Sequence, residues 1–284
     1  CLGHPLVQTP HMDRLLNDGI HIKNAFVTHS LCSPSRASIL TGLYSHQHNV
    51  LDNSTELNPK LPTWPTLLQK AGYTTGFVGK WHMGGSNDSP RPGFDHWVSF
   101  RGQGLYFDNI YNINGSREKR EGYVSDVLTD FATEFIKNSK ERPFCLYLSH
   151  KAVHEDFDPA PRHIGKFNHI TPPRPVTYHN TDENYDDKPE WVRKQRYSCH
   201  GVDGLSYTHR TGINGLYRRY AECLLGLDDG IGGLVSFLEK ENLLHDTLII
   251  YMGDNGFQFG ELGLIDKRVM YEESIRVPMF IHCP

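Results

Sequence analysis

Short apolar runs that alternate with segments of helical spacing constrain the fold of this 284-residue chain more than any other feature. The strand-like runs are "IHIKNAFVT", "YTTGFVGK", "PFCLYLSH" and "DTLIIYMG". Between them, residues 126–137 and 217–238 carry apolar side chains at steps of three and four, which predicts helices. This alternation is typical of an α/β protein whose mostly parallel central sheet is sandwiched by helices. We expect residues 1–284 to form a single domain.

Composition and charge exclude several classes of protein. The net charge is -4 and the mean hydropathy is -0.51, so there is no basic excess for a nucleic-acid partner. No apolar run reaches the roughly 18 residues that a membrane span needs. The six cysteines are too widely spaced for a disulfide scaffold or a zinc ribbon. Residues 155–210 are polar and proline-spotted, which favours a functional loop region.

Polar side chains follow three of the predicted strands at the points where the strands end. Lys80 and His82 come after one strand, His154 follows another, and Asp254 and Asn255 follow a third. In open α/β sheets, ligands bind outside the carboxyl ends of the strands. The sequence therefore predicts a functional site at one edge of the sheet.

The stretch "CSPSRASILTG" at residues 32–42 places a cysteine at the start of a predicted helix. The free N–H groups and the dipole of a helix start favour negative charge, and Arg36 lies one turn further on. Cys32 is therefore a candidate thiolate nucleophile. A small buried apolar residue explains the same position equally well, and spacing alone leaves both interpretations open.

The wording of this stretch resembles the signature of the type I sulfatases, Cys-x-Pro-Ser-Arg with Thr-Gly following five residues after the arginine. Three more segments resemble that family in the same order: "GYTTGFVGKWHMG", "LYLSHKAVHEDFDPAPRH" and "YMGDNGFQFGELGLIDKRVMYEESIRVP". The resemblance covers most of the chain. It implies an alkaline-phosphatase-like fold and an enzyme that hydrolyses sulfuric esters.

The resemblance also implies how the nucleophile works. In this family the cysteine, here Cys32, is oxidised after translation to formylglycine (3-oxoalanine), and one hydroxyl of the hydrated aldehyde attacks sulfur. Arg36 would hold the hydrate and offset local negative charge. Lys80 and Lys267 match the lysines that contact the sulfate, where two ammonium groups would stabilise the sulfuryl oxygens.

Two histidines and a metal site complete the implied machinery. His154 matches the general acid toward the leaving oxygen, and His82 matches the histidine that assists the formylglycine hydroxyl. Asp254 and Asn255 match two ligands of a divalent cation, usually Ca²⁺, to which the hydrate at Cys32 would also bind. Without the resemblance, Asp254 and Asn255 read as a plain turn.

The chain departs from the family pattern at its start. A pair of aspartates is expected at the end of a first strand, just upstream of "GHPLVQTPHMDRLL". We therefore expect this chain to lack that strand, two calcium ligands and the smaller C-terminal subdomain. On its own it should bind calcium weakly or not at all and be inactive.

The stretch "GLYFDNIYNINGSREKREGYVSDVLTDFATEFI" resembles the corresponding region of N-acetylglucosamine-6-sulfatases. This implies a sulfated carbohydrate substrate from glycosaminoglycan or mucin chains, and a formylglycine-generating enzyme as the maturation partner. The resemblance also implies export to the periplasm, the extracellular space or the lysosome. Trp97, Tyr106 and Tyr111 would either stack on a sugar ring or pack in the core, and His200 is a further residue that could line the site.

Four other functions stay open at this point. The chain could act on another sulfate ester, or be a phosphatase or phosphodiesterase of the same superfamily. It could be an inactive homologue that binds sulfated glycans. It could also be a cysteine hydrolase that uses the Cys32 thiolate directly.

Overall fold

The computed structural model describes residues 2–179, 181–203 and 212–283. The helices are α1 (Pro10–Asn17), α2 (Cys32–Thr41), α3 (Ser45–His48), α4 (Trp64–Lys70), α5 (Val124–Ser139), α6 (Glu190–Arg193), α7 (Gly212–Lys240) and α8 (Glu272–Ile275). The strands are β1 (Ile20–His21), β2 (Thr74–Lys80), β3 (His96–Phe100), β4 (Ile110–Ile113), β5 (Ser116–Lys119), β6 (Phe144–Ser149), β7 (Ile249–Met252), β8 (Gln258–Phe259), β9 (Ile265–Asp266) and β10 (Met279–His282).

The central sheet has five strands in the order β5-β4-β3-β2-β6. Strand β2 runs parallel to both β3 and β6, as expected for an α/β fold. Strands β4 and β5 are antiparallel and form a hairpin. Asn114 and Gly115 have positive φ angles in its two-residue turn, which matches the twist of the flanking strands. The α/β class is thus confirmed, but the sheet is mixed rather than mostly parallel because this hairpin replaces a crossover helix.

A second sheet has the order β1-β10-β7 and is antiparallel throughout. Its strand β7 and strand β6 of the central sheet contribute side chains to one apolar cluster, which contains Phe144, Leu146 and Ile249. Only Ile20–His21 of the predicted strand "IHIKNAFVT" is regular. Beyond this strand, the Ile22 N–H still donates to the Met279 carbonyl oxygen at 3.0 Å.

Helices α5 and α7 pack against each other and cover the sheets. The predicted apolar face of α5 is confirmed, since its members are buried: Leu128, Phe131, Ala132 and Phe135. The described cysteines are all free. Within the described residues, we find no helix that could serve as a membrane span. In the predicted loop region at 155–210, helical structure is limited to short turns and α6; positions 180 and 204–210 lie outside the described residues.

The carboxyl ends of β2 and β6 meet at an unusually close approach. Gly79 has φ +121°, and a Cβ atom there would lie 1.9 Å from the carbonyl oxygen of Ser149. Only glycine tolerates both the backbone angle and the contact. This approach places Lys80, the last residue of β2, beside the end of β6 and the start of α2.

Candidate active site

Helix α2 begins at Cys32 without a cap from its own sequence, because the preceding residue is Leu31. The cap comes from a distant segment instead. The Ser33 N–H donates to Asn53 Oδ1 at 3.1 Å, and the Ser33 hydroxyl donates to the carbonyl oxygen of His82. These bonds satisfy groups that a helix start leaves free, and they fix Cys32 next to the segment that follows β2. The Cys32 side chain is 1 % exposed.

Two buried lysines surround the Cys32 sulfur. Lys80 Nζ lies 3.7 Å from Cys32 Sγ, and Lys267 is also buried beside it. Burial by itself would raise the pKa of the Cys32 thiol. The charges of Lys80 and Lys267 outweigh burial and hold that pKa well below its usual range. Position 32 is therefore built to carry negative charge, and the sulfur marks where an oxygen of a formylglycine hydrate would lie.

The two lysines respond differently to the site. Burial lowers the pKa of Lys80 to about 8, partly offset by the charge of Cys32. Burial also acts to lower the pKa of Lys267, but the negative charges of Cys32 and Asp266 outweigh it and leave that pKa raised. The Asp266 carboxylate is fully buried, with Oδ1 3.4 Å from Lys267 Nζ. Lys267 thus has an adjacent carboxylate as a counter-charge, which it shares with Arg268.

Two histidines, His82 and His154, lie near the Cys32 side chain and help to lower the pKa of its thiol. One ring nitrogen of each is held by a neighbour. The His154 Nδ1–H donates to the carbonyl oxygen of Glu155 at 3.0 Å, and His82 Nε2 lies 3.0 Å from the Gln103 side-chain amide. Burial, reinforced by Lys80, lowers the pKa of His154 to about 4, and burial also lowers the pKa of His82. Both rings are neutral at pH 7 in the free protein.

Arg36 connects the strand ends to the acidic loop after β7. Its Nε and Nη2 donate to Asp254 Oδ2 at 2.9 and 2.8 Å. Its Nη1 donates to the Lys80 carbonyl and the Ser149 hydroxyl, both at 2.5 Å. The pKa of Asp254 is well below its usual range, since the charges of Arg36 and of the two lysines outweigh the effect of burial.

The predicted calcium ligands adjoin this network. Asp254 Oδ1 is not used by Arg36, and Asn255 Oδ1 is buried without a hydrogen-bond partner among the described residues. An orphaned buried carbonyl oxygen of this kind suits a hard cation. Two such oxygens are fewer than the six to eight that Ca²⁺ takes. Among the described residues, no cluster of three or more acidic, histidine or cysteine side chains could hold a metal.

The structure brings the predicted site residues together around position 32, and it relocates the aromatic candidates. Trp97, Tyr106 and Tyr111 are buried core side chains, so they are not sugar-stacking surfaces. His200 Nδ1 lies 3.3 Å from Asp266 Oδ2, which places it one residue away from Lys267. The sequence analysis missed Asn53, Gln103, Ser149 and Asp266; of these, only Asp266 gave a signal, as the neighbour of a motif lysine.

A cavity of about 440 Å³ opens beside the start of α2. Its lining consists of Asn53, Ser54, Glu56, Gly84, Gly85 and Ser86. Cys32 is not part of that lining. Asn53 joins the two places, since it borders the cavity and accepts the hydrogen bond from Ser33.

The Sulfatase family model matches residues 1–284. N-acetylglucosamine-6-O-sulfatase of Bacteroides thetaiotaomicron is 34% identical over 100% of this chain and 60% of its own length. Human N-acetylglucosamine-6-sulfatase is 30% identical over 94% of this chain and 51% of its own length. The chain thus spans about half to three fifths of the length of these two relatives.

Solved structures agree with these sequence matches. One solved structure shows a protein in complex with its substrate, D-glucosamine-2-N,6-O-disulfate. It matches this chain with a TM-score of 0.84 and 34% identity, covering 100% of this chain and 68% of that one. A phosphonate monoester hydrolase from Silicibacter pomeroyi has a TM-score of 0.80 at 21% identity, covering 98% of this chain and 64% of that one, and shows the shared fold alone. In this chain, the nucleophile motif, the family-like segments in the same order and the match of the family model over residues 1–284 lead to one conclusion: the chain belongs to the sulfatase family.

Proposed function

We propose that this protein hydrolyses sulfate esters of glucosamine-type sugars, with position 32 as its nucleophile. The observation that carries the proposal is the convergence of two ammonium groups and two imidazoles on one buried side chain. Lys80 Nζ lies 3.7 Å from Cys32 Sγ, and Lys267, His82 and His154 face the same atom. A site with this surplus of positive charge suits an anionic sulfuryl group.

Each cation and imidazole has a task in this scheme. Lys80 and Lys267 bind the sulfuryl oxygens and stabilise the charge that develops on them during bond cleavage. His82 accepts the proton of the attacking hydroxyl. His154 donates a proton to the leaving sugar oxygen. Burial lowers the pKa of His154 to about 4 in the free protein, and the negative charge of a bound sulfate ester opposes this effect and favours the protonated form that donates the proton.

The residues present fit formylglycine at position 32 and supply part of a calcium site. When position 32 carries formylglycine, the hydrated aldehyde supplies the hydroxyl nucleophile. The formylglycine-generating enzyme is the proposed maturation partner. Asp254 Oδ1 and Asn255 Oδ1 are the oxygens that would hold Ca²⁺, supported by the missing partner of Asn255 Oδ1. A complete site needs further oxygen ligands.

The proposed substrate is a 6-sulfated glucosamine unit of a glycosaminoglycan or mucin chain. Its support is the identity to proteins named N-acetylglucosamine-6-sulfatases and the similarity to a structure that holds D-glucosamine-2-N,6-O-disulfate. Two more relatives are named extracellular sulfatases, at 31% and 28% identity. They support export of this protein.

The test uses the full-length gene product, produced together with a formylglycine-generating enzyme and checked for conversion of Cys32 by peptide mass spectrometry. Release of inorganic sulfate is measured from N-acetylglucosamine-6-sulfate and from galactose-6-sulfate. Cleavage of 4-nitrophenyl phosphate is measured in parallel as a comparison substrate. We expect preferred release from the glucosamine ester and none from Cys32→Ala.

Three results would contradict the proposal. Converted protein that releases no sulfate but binds the sugar would indicate a glycan-binding homologue. Preferred cleavage of the phosphate would indicate a phosphatase. Turnover by unconverted protein that iodoacetamide abolishes would indicate a cysteine hydrolase.

A further inference from the structure

His154 lies in an irregular segment after β6, where no helix or strand fixes its backbone. Both of its backbone polar groups are bound by one side chain, and its carbonyl oxygen also accepts from the Phe157 N–H at 3.2 Å. The Tyr106 hydroxyl donates to the His154 carbonyl oxygen at 2.6 Å and accepts from the His154 N–H at 3.1 Å. A single hydroxyl therefore satisfies the donor and the acceptor of this residue at once.

Tyr106 is itself held firmly. It lies between β3 and β4, is 3 % exposed, and stacks on Tyr123 with ring centroids 6.0 Å apart. The ammonium of the buried Lys151 lies 4.6 Å from the centre of the Tyr106 ring. Burial raises the pKa of Tyr106 well above its usual value, so its hydroxyl keeps the proton that it donates.

The same surroundings fix the imidazole ring. The Glu155 carbonyl oxygen accepts from His154 Nδ1–H at 3.0 Å and from Lys151 Nζ at 2.9 Å. With Nδ1 occupied as a donor, Nε2 is the ring nitrogen left to exchange a proton in the site. The loop after β3 and the loop after β6 are thus joined into one unit whose centre is His154.

We propose that Tyr106 is a positioning residue that clamps the backbone of His154 so that its imidazole is aimed at the leaving sugar oxygen. This inference rests on the proposed sulfatase function, in which His154 gives a proton to that oxygen. Tyr106 does not touch the substrate, because it lies in the core. Its contribution therefore depends on how much the departing group needs a proton.

The experiment compares two sulfate esters in the converted full-length gene product. A sugar alkoxide leaves poorly without a proton, whereas 4-nitrophenolate leaves readily. We expect Tyr106→Phe to lower kcat for N-acetylglucosamine-6-sulfate about ten- to a hundredfold, since small misplacements of a proton donor cost this much. For 4-nitrophenyl sulfate we expect a loss of about twofold at most.

Tyr123→Phe is the matched control, because it removes a buried hydroxyl from the same aromatic stack, next to the Cys223 thiol. It should leave both rates within about twofold. In a His154→Ala background, Tyr106→Phe should cause little further loss. Equal losses for the two esters, or a Tyr123→Phe protein that behaves like Tyr106→Phe, would overturn the proposal.

Hydrogen exchange separates this inference from the function on which it rests. Tyr106→Phe should speed amide exchange in the peptide that contains His154, and Tyr123→Phe should not, whether or not either protein turns over. Unchanged exchange overturns the clamp. Absence of sulfate release in the parent protein, with the exchange result as expected, overturns the sulfatase function instead. If Tyr106→Phe does not fold, Lys151→Met is the substitute variant, because it removes the hydrogen bond from Lys151 to the Glu155 carbonyl oxygen. It should lower kcat for the sugar sulfate more than for 4-nitrophenyl sulfate. Equal losses for the two esters again overturn the proposal.

Discussion

Replacing Arg36 by methionine should destabilise the fold more than any comparable change of a surface arginine. The guanidinium makes two charge-assisted bonds to Asp254 Oδ2 and two more to the Lys80 carbonyl and the Ser149 hydroxyl. Methionine fills a similar volume but leaves a carboxylate without its bidentate partner. Breaking such a pair typically costs about 3–5 kcal/mol. We expect the lower end, about 3 kcal/mol, because the Asp254 side chain is 27% exposed and water reaches it.

The pKa of Asp254 determines how the destabilisation by Arg36→Met should change with pH. Arg36 keeps the pKa of Asp254 below the unfolded value of about 3.9. A depressed carboxylate pKa stabilises the fold above that value, and the stabilisation is lost as the pH falls through the folded pKa. The free-energy difference between parent and Arg36→Met should therefore be full at pH 7 and shrink below about pH 4. Asp254→Asn in the Arg36→Met background should recover part of the loss.

The assay is urea unfolding of the full-length gene product, followed by circular dichroism and tryptophan fluorescence, whose transitions must coincide. Arg162→Met is the control, because Arg162 also bonds carboxylates, Asp126 through its two Nη atoms and Asp229 through Nε, but is 42% exposed. It should cost at most about 1 kcal/mol. An Arg36→Met penalty no larger than that of Arg162→Met, or one that is independent of pH, would refute the reasoning.

Three further predictions concern the groups around position 32. The kcat/KM for sugar sulfate should fall above pH 8, because the pKa of Lys80 is about 8 and its neutral amine no longer stabilises the sulfuryl oxygens; a flat profile through this range would contradict it. Gly79→Ala should lower the unfolding free energy by about 2 kcal/mol or more, since its Cβ would meet the Ser149 carbonyl. The control Gly115→Ala meets nothing within 4 Å and should cost about 1 kcal/mol. Equal decreases in melting temperature for the two variants would disprove the steric cause. Asn255→Ala should weaken calcium affinity about tenfold, measured by calorimetry, and an unchanged affinity would remove Asn255 from the metal site.

The main helices and the strand ends were predictable because their signals are local. The apolar spacing in α5 and the sequence leading to Lys80 are read within a dozen residues, and the structure confirms both. The Asn-Gly turn of the β4–β5 hairpin is equally local. The effect of this turn on the sheet is not local, because whether a strand pairs parallel or antiparallel depends on partners far along the chain.

The contacts that support the site could not be predicted for the same reason. The helix start at Cys32 was predicted, but its cap was not, because Leu31 in the N-cap position has no polar side chain and Asn53 lies 21 residues further along the chain. From the sequence, Tyr106 could either stack on a sugar ring or pack in the core, and only its burial in the structure decides between the two. The roles of the motif residues came from the family resemblance, and they stay predictions until the variants above are measured.

The burial of Cys32 imposes an order of events on biosynthesis. With 1 % of its side chain exposed, the thiol is out of reach of any oxidising enzyme once α2 has docked against the end of β2. The proposed conversion to formylglycine therefore has to take place on the nascent or still unfolded polypeptide, in competition with folding. Protein that folds first is locked in the thiol form, and later addition of the maturation enzyme cannot rescue it without denaturation.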